Sequence, residues 1–217
     1  MTGVAATRRR QKGETRERLV VDAAAATIAE RGLANVRVSD IAHRAGMSAG
    51  HVTYYFPSKT ALLVRAIQHS EQALHEQVAA EVLQIVDPWA RLYRLITLAA
   101  STGQGDQGWV LWFEAWANAG RDEDVARAQV ELDARWRNTL TDVIHYGCSQ
   151  GAFATDDPEA VALLLSSLID GLSVHVTLGD PQVDNEVLGR LVVRAAEAHL
   201  KPDGQASDRT EVRTQPG

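Results

Sequence analysis

The chain has 217 residues, 45% of them apolar, which is enough for one large domain or two modest ones around a real core and excludes global disorder. No run approaches ~18 consecutive apolar residues, no apolar stretch follows the basic residues of MTGVAATRRRQKG, and Cys148 is the single cysteine. A membrane span, a secretory leader and an internal disulfide framework are therefore not expected, and a cytoplasmic location is. The net charge of −6 divides into +5 over residues 1–60 and −11 over the rest, the balance of a chain that meets phosphate with one end only.

In chain order, residues 1–13 read as a flexible basic arm. A first helix is predicted over about 15–31, with Leu19, Val20, Ala23, Ala24 and Ile28 on one face and Gly32 as its stop. Two short helices follow at about 38–45 and 49–55, the second with Ser48 as N-cap. Ser58 caps a long helix over about 59–85. Asp87-Pro88 starts another, to about 101. The stretch 102–108 is a loop, and further helices are predicted at about 109–120, 123–149, 158–178 and 184–199. Residues 201–217 are polar without apolar period and are expected to be disordered. Runs alternating with period two are missing, so the fold class is all-α, with about nine helices.

The segment 39–59, SDIAHRAGMSAGHVTYYFPSK, carries the chemistry. Two short helices meet at a glycine turn, Ala45-Gly46, and the second presents His51, Thr53, Tyr54 and Tyr55 in less than two turns. That is a helix-turn-helix pattern, which lays its second helix in a DNA major groove. Val52 and Phe56, four apart, take the core side. Ala49 and Gly50 are small, so the helix start can approach the bases closely. His51 suits a guanine acceptor, the Thr53 methyl a thymine methyl, and Tyr54 or Tyr55 either a phosphate or the packing against the first helix. Lys59, at a helix start, suits a phosphate. Arg8, Arg9, Arg10 and Lys12 suit the DNA backbone or minor groove, or serve only as a solubilising tail.

The amphipathic first helix ending Glu30-Arg31-Gly32, then Ile41-Ala42, Ala45-Gly46-Met47-Ser48, Tyr54-Tyr55-Phe56 and Lys59 with Leu62, resembles the TetR family of bacterial repressors over residues 15–63. Val52-Thr53 stands where many members have a leucine and an aromatic. That variant, with Leu168-Ile169-Asp170-Gly171-Leu172, looks like the branch of choline-to-betaine regulators (BetI-like). Arg37-Val38 replaces threonines common at the start of the second helix. The resemblance implies a DNA-binding domain over 14–58 that includes Arg37, Ser39 and Ser48, and a ligand-binding and dimerisation domain over 59–200. It further implies a homodimer on double-stranded operator DNA, released by a small-molecule effector, with no cofactor and no catalysis.

Two stripes are candidates for the dimer surface: Leu164, Leu165, Leu168 and Leu172 on one helix, and Leu188, Leu191 and Val192 on the next. They fit an intramolecular core equally. All five tryptophans fall between 89 and 136. Trp109, Trp112, Phe113 and Trp116 share one helical face, with Trp89, Tyr93 and Trp136 on neighbouring helices. The stripe is either core or an aromatic pocket for a cation, a quaternary ammonium in particular. Asp170, mid-helix among apolar residues, is the candidate anion; an ordinary salt bridge, or a hydrogen bond to Tyr93 or Tyr146, is the other reading. The alternative to a regulator is an all-helical small-molecule-binding protein or enzyme that uses this pocket. Gly103, Gly105 and Gly108 match a GxGxxG string without a preceding strand and read as a connector. No HExxH or GxSxG spacing is present.

Overall fold

Side-chain caps mark where the chain turns into helix. Ser48, Ser58, Asp87, Asp106 and Asp157 each accept a hydrogen bond from the backbone N–H three residues on, at 3.3, 3.0, 2.7, 3.2 and 2.9 Å. Each such cap is worth about 1 kcal/mol to the helix it starts. The computed structural model describes the backbone of residues 2–100 and 102–200, with side chains from residue 13 onward in that range. The expected tail 201–217 and the side chains of Arg8, Arg9, Arg10 and Lys12 lie outside the described residues.

Among the described residues there are nine α-helices and no strand: α1 Thr2–Arg31, α2 Val38–Arg44, α3 Ala49–Tyr55, α4 Lys59–Gln77, α5 Pro88–Ala99, α6 Gln107–Ala119, α7 Glu123–Ser149, α8 Pro158–Leu178 and α9 Asn185–Leu200. The first helix begins at Thr2 rather than near 15. Ala, Arg, Gln, Lys and Glu dominate its first turns and favour helix, and Gly13 in the helix interior costs only about 1 kcal/mol. Its buried face holds Val20, Val21, Ala23, Ala24 and Ile28, whereas Leu19 is turned outward. The long helix expected to 85 is α-helical only to Gln77 and finishes in a π-helical turn, Val78–Val82. Arg94 of α5 ion-pairs Glu81 in that turn.

Two buried clusters organise the chain. One joins α5, α7, α8 and α9 with the π turn and includes Leu92, Leu95, Ile96, Leu140, Ile144, Leu165, Ile169, Leu188 and Val192. The other joins α1, α2 and α3 to Leu62, Leu63, Ala66 and Ile67 of α4, Leu111 and Ala115 of α6, and Val125 and Leu132 of α7. The amino-terminal module therefore shares its core with helices of the carboxy-terminal body, and α4, α6 and α7 contribute to both clusters, α4 and α6 reaching the first through Leu74 and Trp109.

Helix α8 is long and apolar enough to cross a membrane by mean hydropathy, although Ser166, Ser167, Asp170 and Ser173 interrupt its apolar run. It packs against α7 and α9 in the helical body. Its inner face, Val161, Leu165, Ile169 and Val176, is buried, while Leu163, Leu164 and Leu178 stay exposed.

Candidate nucleic-acid interface and effector site

The helix-turn-helix is built from short-range contacts. Gly46, at φ 66°, makes the turn in a left-handed conformation that a side chain would strain. Val52 and Phe56 are buried, and Ala49, Gly50, His51, Thr53 and Tyr54 are exposed. Tyr54 is 82% exposed and meets Tyr55 edge-on, with centroids 5.2 Å apart. Tyr55 is half-buried against the module's core. The structure thus divides the two tyrosines: Tyr54 is the free tip and Tyr55 the packed one. The Thr53 hydroxyl donates to the carbonyls of Ala49 and Gly50, both at 3.2 Å, which leaves its methyl unengaged.

Arg37 and Ser39 stand exposed at the start of α2. Asp40 supplies the cap there by reaching back to the Arg37 N–H at 3.0 Å, half of a capping box. A bidentate pair that the sequence reading did not find, Arg44 to Glu30 at 2.6 and 2.7 Å, clamps the end of α2 to the end of α1. The Arg44 guanidinium holds the Glu30 carboxyl below the usual carboxylate range. The Lys59 ammonium donates to the carbonyls of Leu33 and Ala34 at 3.0 and 3.3 Å. Two of its three donors thus fasten the α1–α2 loop to the start of α4.

In the body, a cavity of about 200 Å³ opens between α4, α6, α7 and α8. Trp109, Trp112, Trp116, Trp136 and Asp170 line it, together with Glu71, Asp133 and Ser70. Trp116 stands 6.2 Å from Trp109 and 6.3 Å from Trp112 by ring centroids. The Trp109 indole N–H donates to the Ala99 carbonyl at 3.2 Å, fixing α6 to the end of α5. Phe113 packs into the body's core, 5.7 Å from Trp116, without reaching the cavity. Trp89 and Tyr93 fall outside it. The cavity takes Leu98, Ala99 and Ala100 from the far end of α5, and nine residues of helix put Trp89 about 13 Å away. Trp89 meets Phe153 edge-on at 4.6 Å, and Trp89 and Tyr93 line a separate groove against α9.

Four carboxylates line the cavity. Asp106 is taken up by the cap of α6 and by the Thr102 N–H and hydroxyl, which donate to it at 2.8 and 2.9 Å; of the other three, Glu71 and Asp133 escaped the sequence reading. Glu71 is 5% exposed, and its Oε2 has no hydrogen-bond donor among the described residues. The His75 ring nitrogen 3.9 Å away is turned to the Glu71 backbone carbonyl instead, at 2.9 Å. Burial pushes the Glu71 carboxyl up to about 7, with Asp133 and Asp170 adding to the rise and Arg135 opposing it. Burial likewise lifts Asp170 to about 6, Asp133 adds to it, and Arg137 opposes it. Asp133 is also raised by burial, although Gln129 donates to it at 2.9 Å. Tyr146 is no partner of Asp170: its hydroxyl donates to the Val86 carbonyl at 2.7 Å, under the Arg91 guanidinium. Carboxyls crowded into a tryptophan-walled cavity favour a cation in two ways, by charge and by ring quadrupole.

The expected dimer stripes divide. Leu165, Leu188 and Val192 are fully buried within the single chain and cannot serve an interface, because they fill the space between α8, α9 and α5. Leu164 and Leu191 are 37% and 39% exposed, and Leu168 and Leu172 are half-buried. The outward face of α8 is completed by Gly171, where an added Cβ would meet nothing within 4 Å.

Residues 20–66 match the family described as bacterial regulatory proteins, tetR family, and residues 88–201 match the BetI-type transcriptional repressor carboxy-terminal domain. An HTH-type transcriptional regulator BetI of Agrobacterium fabrum is 30% identical over 193 residues, 88% of this chain and 91% of that one. The BetI of Rhizobium meliloti is 28% identical over 87% and 91%. Among solved structures, a transcriptional regulator from Saccharomonospora viridis in complex with choline superposes with a TM-score of 0.77 at 29% identity, covering 87% of this chain and 98% of the other. A TetR transcription regulator from Haloarcula marismortui shares the fold, with a TM-score of 0.76 at 24% identity over 87% of this chain and 100% of that one.

Proposed function

Since the chain belongs to the TetR family and is a ligand-responsive transcriptional regulator, we propose that it is a dimeric repressor of the BetI-like branch whose effector is a small organic cation, with a quaternary ammonium such as choline the first compound to test. The observation that carries the reading is the cavity itself, with four tryptophans and the carboxyls of Glu71, Asp133 and Asp170 around one space. Choline bound by the Saccharomonospora viridis relative supports the same class of ligand.

The reader contributes His51, the Thr53 methyl and Tyr54 at the DNA, with Ser48, Ala49 and Gly50 at the helix start and Arg37 and Ser39 on α2 beside the phosphates. One such module makes few contacts. Two, related by a twofold axis, meet a pseudopalindromic operator in successive major grooves. The exposed Leu163, Leu164 and Leu191 and the open Gly171 supply a face for the second copy, continued by Leu168 and Leu172.

Ligand and DNA are linked through α4 and α6. Helix α4 puts Glu71 on the cavity and, about one to two and a half turns earlier, Ile67, Ala66, Leu63 and Leu62 in the reader's core. Helix α6 puts Trp109, Trp112 and Trp116 on the cavity and Leu111 and Ala115 against the reader. Asp122, at the start of α7, accepts from the Thr60 hydroxyl at the start of α4. A cation that draws Glu71 and the tryptophans inward therefore acts on helices the reader is packed on, and it lowers DNA affinity by as much as it prefers that shape. The test is selection of genomic fragments by the purified protein. A pseudopalindromic motif released by choline supports the reading; non-specific, salt-governed retention of all fragments counts against it.

A further inference from the structure

We propose that the effector carries two positive centres, as an α,ω-diamine or an amine-bearing quaternary ammonium does, and that the cavity selects it over a monocation through Glu71 and Asp170. The proposal rests on the reading that the cavity takes a cation.

The charge count argues for the second centre. Besides Asp106, which is engaged by the Trp109 and Thr102 donors, three carboxyls from three different helices, Glu71 of α4, Asp133 of α7 and Asp170 of α8, line one small space. Among the described residues no lysine or arginine forms an ion pair with any of them. Arg135 and Arg137 act on them only at longer range. The Glu71 side chain is 6% exposed and its inner oxygen is unpartnered. A buried unpartnered carboxylate is costly, and a bound positive group removes that cost. One monocation answers one carboxylate and leaves another unpaired beside it.

The arrangement also excludes concentrating that charge at a point. Among the described residues no three acidic, histidine or cysteine side chains converge closely enough to hold a metal ion. The anions are spread around the wall, so the matching cation has its charges spread too. Size agrees. A space of about 200 Å³ is many times the ~10–15 Å³ that a single water needs, which leaves room for 1,4-diaminobutane. Its methylene chain would lie against the tryptophan faces that also attract the ammonium groups.

The test compares 1,4-diaminobutane, 1-aminobutane and choline on the full chain at constant ionic strength, by tryptophan fluorescence and calorimetry. The diamine should bind at least about tenfold more tightly than the monoamine of the same length, the factor one further charge-assisted contact supplies. That ratio should fall toward one in Glu71→Gln and in Asp170→Asn, each confirmed folded by thermal unfolding. Equal binding of the two amines while choline still binds overturns the proposal and leaves the cation reading standing. A tenfold ratio that survives both substitutions overturns it as well. No binding of any of the three compounds removes the proposal and the cation reading together.

Discussion

Replacing Glu71 by glutamine should stabilise the ligand-free protein, and the gain should depend on pH. Its carboxyl is raised from an ordinary 4.5 to about 7. At about 1.4 kcal/mol for each tenfold change in proton affinity, the ionised side chain costs the folded state about 3 kcal/mol. The sign follows from proton binding. Between pH 4.5 and about 7 the folded chain holds the Glu71 proton more tightly than the unfolded chain. The favourable contribution of that proton is complete below pH 4.5 and is lost as pH rises through 7. Glutamine has no proton to lose. Glu71→Gln should therefore differ from wild type by less than about 1 kcal/mol at pH 5 and be more stable by about 3 kcal/mol at pH 8. For a chain of this size that is a rise in Tm of roughly 6 °C or more at the higher pH. The assay is thermal unfolding at fixed protein concentration in amine-free phosphate, so that no bound cation masks the orphaned carboxylate. Equal or lower stability of the variant at pH 8 would refute the reasoning, because it would mean that Glu71 already has a partner.

Three further outcomes follow from the geometry. His51→Ala should relax base preference at one operator position and cost roughly 1–3 kcal/mol on the cognate site, read by competition binding; an unchanged footprint and preference would remove His51 from the bases. Lys59→Met should lower folding stability by about 1–2 kcal/mol through the two lost carbonyl contacts while leaving the salt dependence of DNA binding unchanged. A salt slope shallower by about one would instead assign Lys59 to a phosphate. Gly147→Ala should destabilise by about 1–3 kcal/mol or more, since its Cβ would overlap the buried Phe153 ring. A denaturation midpoint like that of wild type would show that the α7–α8 loop yields freely.

Much of the fold was legible because its boundaries are written locally. Ser48, Ser58, Asp87 and Asp157 announce helix starts by residue type and were read as such. Asp170 was legible for a related reason: a carboxylate in an apolar helix is a local contradiction. Glu71 was not. It sits in HSEQALHEQ, a polar stretch that reads as a solvated face, and it is buried by helices distant in sequence, α6 and α7, that pack on α4. Asp133 was hidden in the same way by its charged neighbours. The leucine stripes show the opposite limit. Leu164 and Leu165 are adjacent in sequence and alike in type, yet one faces out and the other is wholly buried. Periodicity finds an apolar face but does not say which neighbour covers it. Lys59 was read correctly as lying at a helix start, and the loop carbonyls beside it come from residues 26 and 25 positions earlier in the chain.

The central claim is that a cation in the tryptophan cavity loosens the grip of the reader on DNA. It is tested most directly by fluorescence anisotropy of the selected operator duplex bound to the full chain, titrated with choline and with 1,4-diaminobutane against equal ionic strength of sodium chloride. A saturable fall in anisotropy is expected with at least one of these cations beyond the salt control, lost in Trp112→Ala and Glu71→Gln while both variants still bind the duplex. A complex that responds to the cations no more than to sodium chloride would contradict it.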